Sequence, residues 1–146
     1  MIPGCRWEPQ IIIATLPIVV LSLVLASCST KFMRQDDVRK EAEQLFSLAN
    51  ESSYLCSLVA AGSASRQFRS MHANALEKKV SEHIRKLTSA QHDPALAGQT
   101  EELERMGKQM ANALVILQNS GPQKASELQS DFDKTVRLLQ TAKEAQ

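Results

Sequence analysis

The chain has 146 residues, a length that suits one domain, and its 17 Lys and Arg against 16 Asp and Glu give a formal net charge of +1. This balance provides no overall attraction to nucleic acid, and an aromatic content of 4% is too low for a surface on which bases could stack. We therefore expect no nucleic-acid partner.

The first 27 residues have the pattern of a signal peptide. Arg6 is the single basic residue among the first ten, and no charged residue occurs between Ile11 and Ser27. The apolar part of this run, residues 11–26, is 16 residues long. Spanning a bilayer core takes about 20. Its length and position are typical of the apolar core of a secretory signal rather than of a permanent anchor.

Residues Leu25-Ala26-Ser27-Cys28 close this run and resemble the lipobox of bacterial lipoproteins, in which an aliphatic and two small residues precede an invariant cysteine. The resemblance implies that a peptidase cleaves before Cys28 and that the thiol of Cys28 carries a diacylglycerol. Such lipoproteins typically carry three acyl chains, palmitate among them. Each buried methylene contributes about 0.8 kcal/mol, so attachment to the membrane would be permanent.

The residue after the lipobox cysteine indicates the membrane. Gram-negative lipoproteins with Asp at this position tend to stay in the inner membrane, whereas this chain has Ser29. The resemblance thus implies a lipid anchor in the outer membrane and a domain that faces the periplasm. The inner membrane and the cell surface are the alternatives. The lipid on Cys28 is the one covalent group we expect, with no further cofactor.

Four amphipathic segments follow, each with apolar side chains spaced by three and four residues. They cover about residues 34–61, 65–91, 94–117 and 122–143, and they are separated by Gly62, by Asp93-Pro94 and by Gly121-Pro122. Short connections make consecutive helices antiparallel. The pattern therefore predicts an all-α, up-down-up-down bundle of four helices. The alternative is a bundle of three long helices, in which the first two segments continue through Gly62.

The apolar stripes predict which side chains form the core. In the first segment they are Val38, Ala42, Leu45, Ala49, Ser52, Leu55, Cys56 and Val59. In the second they are Phe68, His72, Leu76, Val80, His83, Ile84 and Leu87. In the third they are Leu103, Met106, Met110, Ala113, Leu114 and Leu117, and in the fourth Ala125, Leu128, Phe132, Thr135, Leu139 and Ala142.

The chain thus divides into a signal peptide (residues 1–27), an acylated N-terminus with a tether (residues 28–35) and a helical domain (residues 36–146). Of the three cysteines, Cys5 leaves with the signal and Cys28 carries the lipid, so Cys56 remains as a single thiol. We expect Cys56 to be a small buried residue. An intermolecular disulfide or a reactive thiol is the alternative.

Two histidines on the second stripe suggest a different function. His72 and His83 are 11 residues apart, so a rise of about 16 Å prevents them from sharing one metal ion. If Met106 or Met110 faced one of them across the bundle, the pair would resemble the ligands of four-helix cytochromes that bind haem without a covalent link. A ligand- or haem-binding bundle, with His72 or His83 as a ligand, is therefore the alternative function.

Motifs for catalysis are missing from the sequence. It contains no Glu-x-x-His pair of di-iron bundles, no phosphate-binding glycine loop, no Gly-x-Ser-x-Gly and no His-Glu-x-x-His, so neither an enzyme nor a metal site is expected. One charged cluster does stand out. Lys78-Lys79 and Arg85-Lys86 recur seven residues apart in the second segment. We call these four residues the basic face. It could contact an acidic protein, phospholipid headgroups or lipopolysaccharide.

Together these features predict a non-enzymatic, membrane-anchored helical lipoprotein. It would act through protein–protein contacts with a partner in the cell envelope, in a structural or accessory role. Pilotins of secretion systems, small helical lipoproteins that escort an outer-membrane ring subunit, are an analogous class. The analogy is one of architecture, and the paired cysteines expected in many pilotins are absent here.

Overall fold

The computed structural model describes residues 32–144. Its four long helices are α1 (Gln35–Ala60), α2 (Arg66–Ser89), α3 (Ala97–Leu117) and α4 (Pro122–Glu144). Two short strands, β1 (Phe32–Met33) and β2 (Gln91–His92), precede α1 and follow α2, and one turn of 3-10 helix (Pro94–Leu96) leads into α3. The predicted signal peptide, lipobox and Cys28 lie outside the described residues.

The four helices pack against one another as an antiparallel bundle, which confirms the predicted fold. The closest associations join α1 to α4 and α2 to α3. Contacts between helices run in opposite directions along the chain: Ser53 of α1 donates a hydrogen bond to Asp133 of α4 at 2.6 Å, and Lys143, ten residues later, lies over the ring of Phe46, seven residues earlier. The same relation holds between α2 and α3, where Arg69 donates to the carbonyl of Gln118 at 3.2 Å.

The alternative of three long helices is wrong because α1 ends where Gly62 predicts. Gly62 has φ +70°, a conformation that costs glycine little. The amide of Ser63 donates to the carbonyl of Leu58 and that of Gly62 to Val59, the pattern that closes a helix through a left-handed residue. The hydroxyl of Ser65 then accepts from the amide of Phe68 and caps α2, so the chain reverses within five residues.

The buried side chains confirm most of the predicted stripes and correct one. Phe68 and His72 are exposed, whereas Ala73 is buried. In its first turns the buried side of α2 continues from Leu76 through Ala73 to the half-buried Arg69. The guanidinium of Arg69 lies at the C-terminal end of α3, where a cation complements the helix dipole. An arginine at a core-facing position therefore hid the true register at the start of α2.

The described part of the predicted tether belongs to the helical unit. Strand β1 pairs in parallel with β2, Phe32 opposite Gln91 and Met33 opposite His92, and the side chain of Met33 is only 3% exposed. The assignment of residues 32–35 to a tether was therefore wrong, because an apolar methionine is buried there and α1 begins at Gln35. Any tether ends before Phe32.

A glycine in the middle of α3 permits close approach of α2. A Cβ atom at Gly107 would lie 2.8 Å from Cγ1 of Ile84 and 3.8 Å from a methyl group of Leu45, whereas one at Gly98 of the same helix would meet nothing within 4 Å. Sequence periodicity gave no indication that position 107 faces the core. The two glycines provide a matched pair of substitutions.

We expect Gly107→Ala to lower the free energy of unfolding by about 1 kcal/mol, because an overpacking cost of about 1–3 kcal/mol exceeds the gain in helix propensity of about 1 kcal/mol. Gly98→Ala should instead stabilise the protein by about 0.4–1 kcal/mol. Chemical denaturation of both variants measures the two effects. Changes of the same sign would show that α2 and α3 are not in close contact at Gly107.

Candidate functional site

The basic face lies on the outer side of α2, where all four side chains are exposed. Because a seven-residue step on a helix returns to within about 20° of the same direction, Lys78 aligns with Arg85 and Lys79 with Lys86. Glu82 lies between the two rows and pairs with Lys86 at 3.2 Å, and the hydrogen bond from Lys86 lowers the pKa of Glu82. Both partners are about half exposed, so this pair adds little to stability.

The other three cations of the basic face make no salt bridge with any of residues 32–144. Lys78, Ser81, Glu82 and Arg85 border a shallow surface depression together with Glu77. The sequence-predicted patch is thus a continuous positive surface over the C-terminal two-thirds of α2.

A second surface was not predicted from the sequence. Between the end of α1 and the beginning of α2 lies a groove of about 150 Å³, which we call the α1–α2 groove. Its lining is mainly apolar: Glu51, Tyr54, Leu55, Leu58, Phe68, His72 and Leu76. Tyr54 is 65% exposed and Phe68 is 40% exposed, which is unusual for large aromatic side chains. The ring of Phe68 stacks on that of His72, with their centroids 4.1 Å apart.

One signal in the sequence points to this groove. Tyr54 falls outside the apolar stripe of α1, between the buried Ser52 and Leu55, so the helix places an aromatic ring on its polar side. The contribution of α2 was hidden, since Phe68 and His72 were assigned to the core. The groove is also remote from the point at which the chain enters the bundle. Strand β1 lies beside the end of α2, and Phe68 precedes that end by 21 residues, about 32 Å of helix.

The structure does not assemble the His–Met pair of the alternative function. His72 lines the α1–α2 groove, and Nδ1 of His83 hydrogen-bonds to Oε2 of Glu41 on α1. Met106 and Met110 are buried in the core, each 1% exposed. His92 donates from Nε2 to the carbonyl of Leu87 at 2.6 Å, so its ring completes the end of α2. In the part of the chain that the structure describes, no three His, Cys, Asp or Glu residues form a group able to hold a metal ion.

Cys56 is fully buried in α1, as expected for a small core residue. Burial, together with the negative charge of Asp133, raises the pKa of the thiol to about 12. A thiol that is both inaccessible and protonated at neutral pH is a poor nucleophile. The folded protein therefore offers no reactive thiol at position 56.

We expect Cys56 to react with a thiol reagent only as fast as the protein unfolds, and Cys56→Ser to leave the oligomeric state unchanged. A cysteine introduced at the exposed Ser126 is the control for rapid labelling. The free energy of unfolding should also fall as the pH rises towards 12, because the unfolded chain loses the thiol proton first. Labelling of Cys56 at the rate of the control would contradict its burial.

The chain matches no protein-family model, and comparison with curated proteins and with solved structures gives no significant match. Between Phe32 and Glu144, no helix has a stretch that is both long and apolar enough to cross a membrane. Any assignment of function therefore depends on the residues of this chain.

Proposed function

We propose that this chain is a bacterial lipoprotein, anchored by lipid on Cys28 to the outer membrane, whose helical domain faces the periplasm. It acts without catalysis, by binding a protein partner in the cell envelope. The lipobox resemblance of residues 25–28 supports the anchor, and the antiparallel bundle supports a compact domain carried on it. The α1–α2 groove is the observation that carries the proposed binding activity.

The size of the groove favours a protein partner over a cofactor. Pockets for small molecules and cofactors usually enclose about 300–1,000 Å³. The α1–α2 groove has about 150 Å³, enough for one or two apolar side chains. It is therefore too small for haem, and His72 on its wall serves as part of an apolar surface beside Phe68.

The chemistry of the groove suits a protein contact. Tyr54 combines a large apolar ring with a hydroxyl that can hydrogen-bond at the edge of an interface, and tyrosine is enriched among residues that dominate binding. Glu51 provides a carboxylate at the same site, which could pair with a basic side chain of the partner. The proposed partner therefore inserts an apolar side chain that is flanked by a polar or basic residue.

Site-specific photo-crosslinking in cells tests this proposal. A photoreactive amino acid in place of Tyr54 should give one discrete adduct, and Phe68→Ala should reduce its yield severalfold. The same amino acid at Leu138, an apolar side chain of α4 that is 52% exposed, should not form that adduct. Identical adducts from both positions, or an adduct at position 54 that is unaffected by Phe68→Ala, would refute binding in the groove.

A further inference from the structure

The place where the chain enters the bundle limits which surface can face the membrane. Strand β1 pairs with β2, which follows the last turn of α2. Four residue steps separate Cys28 from Phe32, and an extended chain covers at most about 14 Å over that distance. A lipid on Cys28 would therefore keep the C-terminal end of α2 close to the bilayer surface, even with the tether fully stretched.

The basic face begins at this same end. Lys86 precedes Ser89, the last residue of α2, by about 4.5 Å of helix, and Lys78 precedes it by about 16 Å. These distances are similar to the reach of the tether and to the Debye length of about 8–10 Å at moderate salt. All four cations are thus close enough to an anchored membrane to interact with its charges.

From this juxtaposition we propose that the basic face binds the anionic phospholipid headgroups of the membrane that holds the anchor, and thereby tilts the bundle towards α2. The inference rests on the proposed lipid anchor and adds a defined orientation to it. Lys78, Lys79 and Arg85 are exposed and lack a salt bridge within residues 32–144, so they can pair with phosphate groups without breaking a contact of the fold.

Two further observations favour a membrane over an acidic protein as the occupant. Phe32 is 55% exposed at the same end of the bundle, and aromatic side chains suit the boundary between headgroups and acyl chains. The net charge of the whole chain is only +1, so the attraction is confined to one surface and can orient the domain. The α1–α2 groove remains clear of the bilayer, because Phe68 precedes Lys86 by about 27 Å of α2.

A fluorescent probe on Ser89 can measure this orientation. Ser89 is exposed on the axis of the basic face, and Ser89→Cys should label selectively because Cys56 is buried. Ser126→Cys, near the start of α4 at the opposite end, is the matched control. The full-length lipidated protein is reconstituted into vesicles of phosphatidylcholine, with or without phosphatidylglycerol, that contain a headgroup-linked quencher.

We expect strong quenching at position 89 and weak quenching at position 126 in vesicles that contain phosphatidylglycerol. Each basic side chain near an anionic surface favours the membrane-facing orientation about fivefold, so replacing the basic face with glutamine should reduce the population of that orientation at least tenfold. Salt near 1 M, which shortens the Debye length to about 3 Å, should have a similar effect. A control with the same change in charge replaces Lys108, Lys124, Lys134 and Arg137 with glutamine and should leave quenching unchanged.

Several outcomes would overturn the inference. Equal quenching at position 89 in neutral and anionic vesicles would attribute proximity to the tether alone. Equal effects of the two glutamine variants would attribute binding to total charge, and insensitivity to both would exclude the basic face as a lipid contact. Failure of the proposed anchor is recognised separately, because the protein would then carry no acyl groups by mass spectrometry.

Discussion

Replacement of Phe132 by alanine is expected to lower the free energy of unfolding by about 3–5 kcal/mol. Phe132 is 1% exposed and is the largest of the fully buried side chains in the described bundle. It belongs to α4, whose main packing partner is α1, so truncation leaves a cavity in the most extensive helix pair. Domains of this size are stable by about 5–15 kcal/mol, and the loss would therefore be a large fraction of the total.

Denaturant titration monitored by circular dichroism measures this effect. Leu138→Ala is the matched control, because Leu138 lies on the same helix but is 52% exposed and should change stability by less than about 0.5 kcal/mol. The denaturant dependence of the two variants should stay similar, so that the shift in midpoint reports stability. Equal midpoints for the two variants would show that α4 does not pack into the core through Phe132.

Replacement of Cys28 by alanine is expected to abolish incorporation of labelled palmitate and to leave a precursor that retains its first 27 residues. The physical reason is chemical: the thiol is the proposed acceptor of the diacylglycerol, and alanine has no nucleophile. Without acyl chains the protein also loses the contribution of about 0.8 kcal/mol per buried methylene that holds it on the membrane. Metabolic labelling followed by electrophoresis of the membrane fraction measures both changes.

The other two cysteines serve as controls for this experiment. Cys5→Ala changes a residue that the proposed cleavage removes, and Cys56→Ser changes a thiol that the fold buries, so both should keep wild-type labelling. Undiminished labelling of Cys28→Ala would refute the lipoprotein assignment. Loss of labelling in Cys56→Ser alone would show that the lipid is carried on a different residue.

The sequence was sufficient for much of the fold, because helices with a strong apolar period show their buried side directly. Every predicted stripe position of α1 is buried, as are Leu103, Leu114 and Leu139 in the later helices. Turn chemistry was equally informative at Gly62 and at Asp93, whose carboxylate caps the 3-10 turn through the amide of Ala95. These features depend on residues close together in the sequence.

The remaining features depend on contacts between distant residues. Of the expected ion pairs along one helix, Glu104–Lys108 forms, but Arg105 pairs with Glu102 instead of Glu101, and Asp133 accepts a hydrogen bond from Ser53 of α1. The α1–α2 groove has the same origin, since its walls come from two helices whose relative rotation no local pattern specifies. The approach of Ile84 to position 107 likewise depends on the separation of α2 and α3.

The close pairing of α1 with α4 has a consequence for the order of folding. The association of α2 with α3 is local in the chain and can form as soon as both helices exist, whereas α1 must wait for a helix about 70 residues further on. A chain that emerges N-terminus first, from a ribosome or through a narrow export channel, would therefore keep the apolar side of α1 uncovered until α4 arrives. Chaperones that recognise exposed apolar helices would find their substrate in this interval, and completion of the last helix would end it.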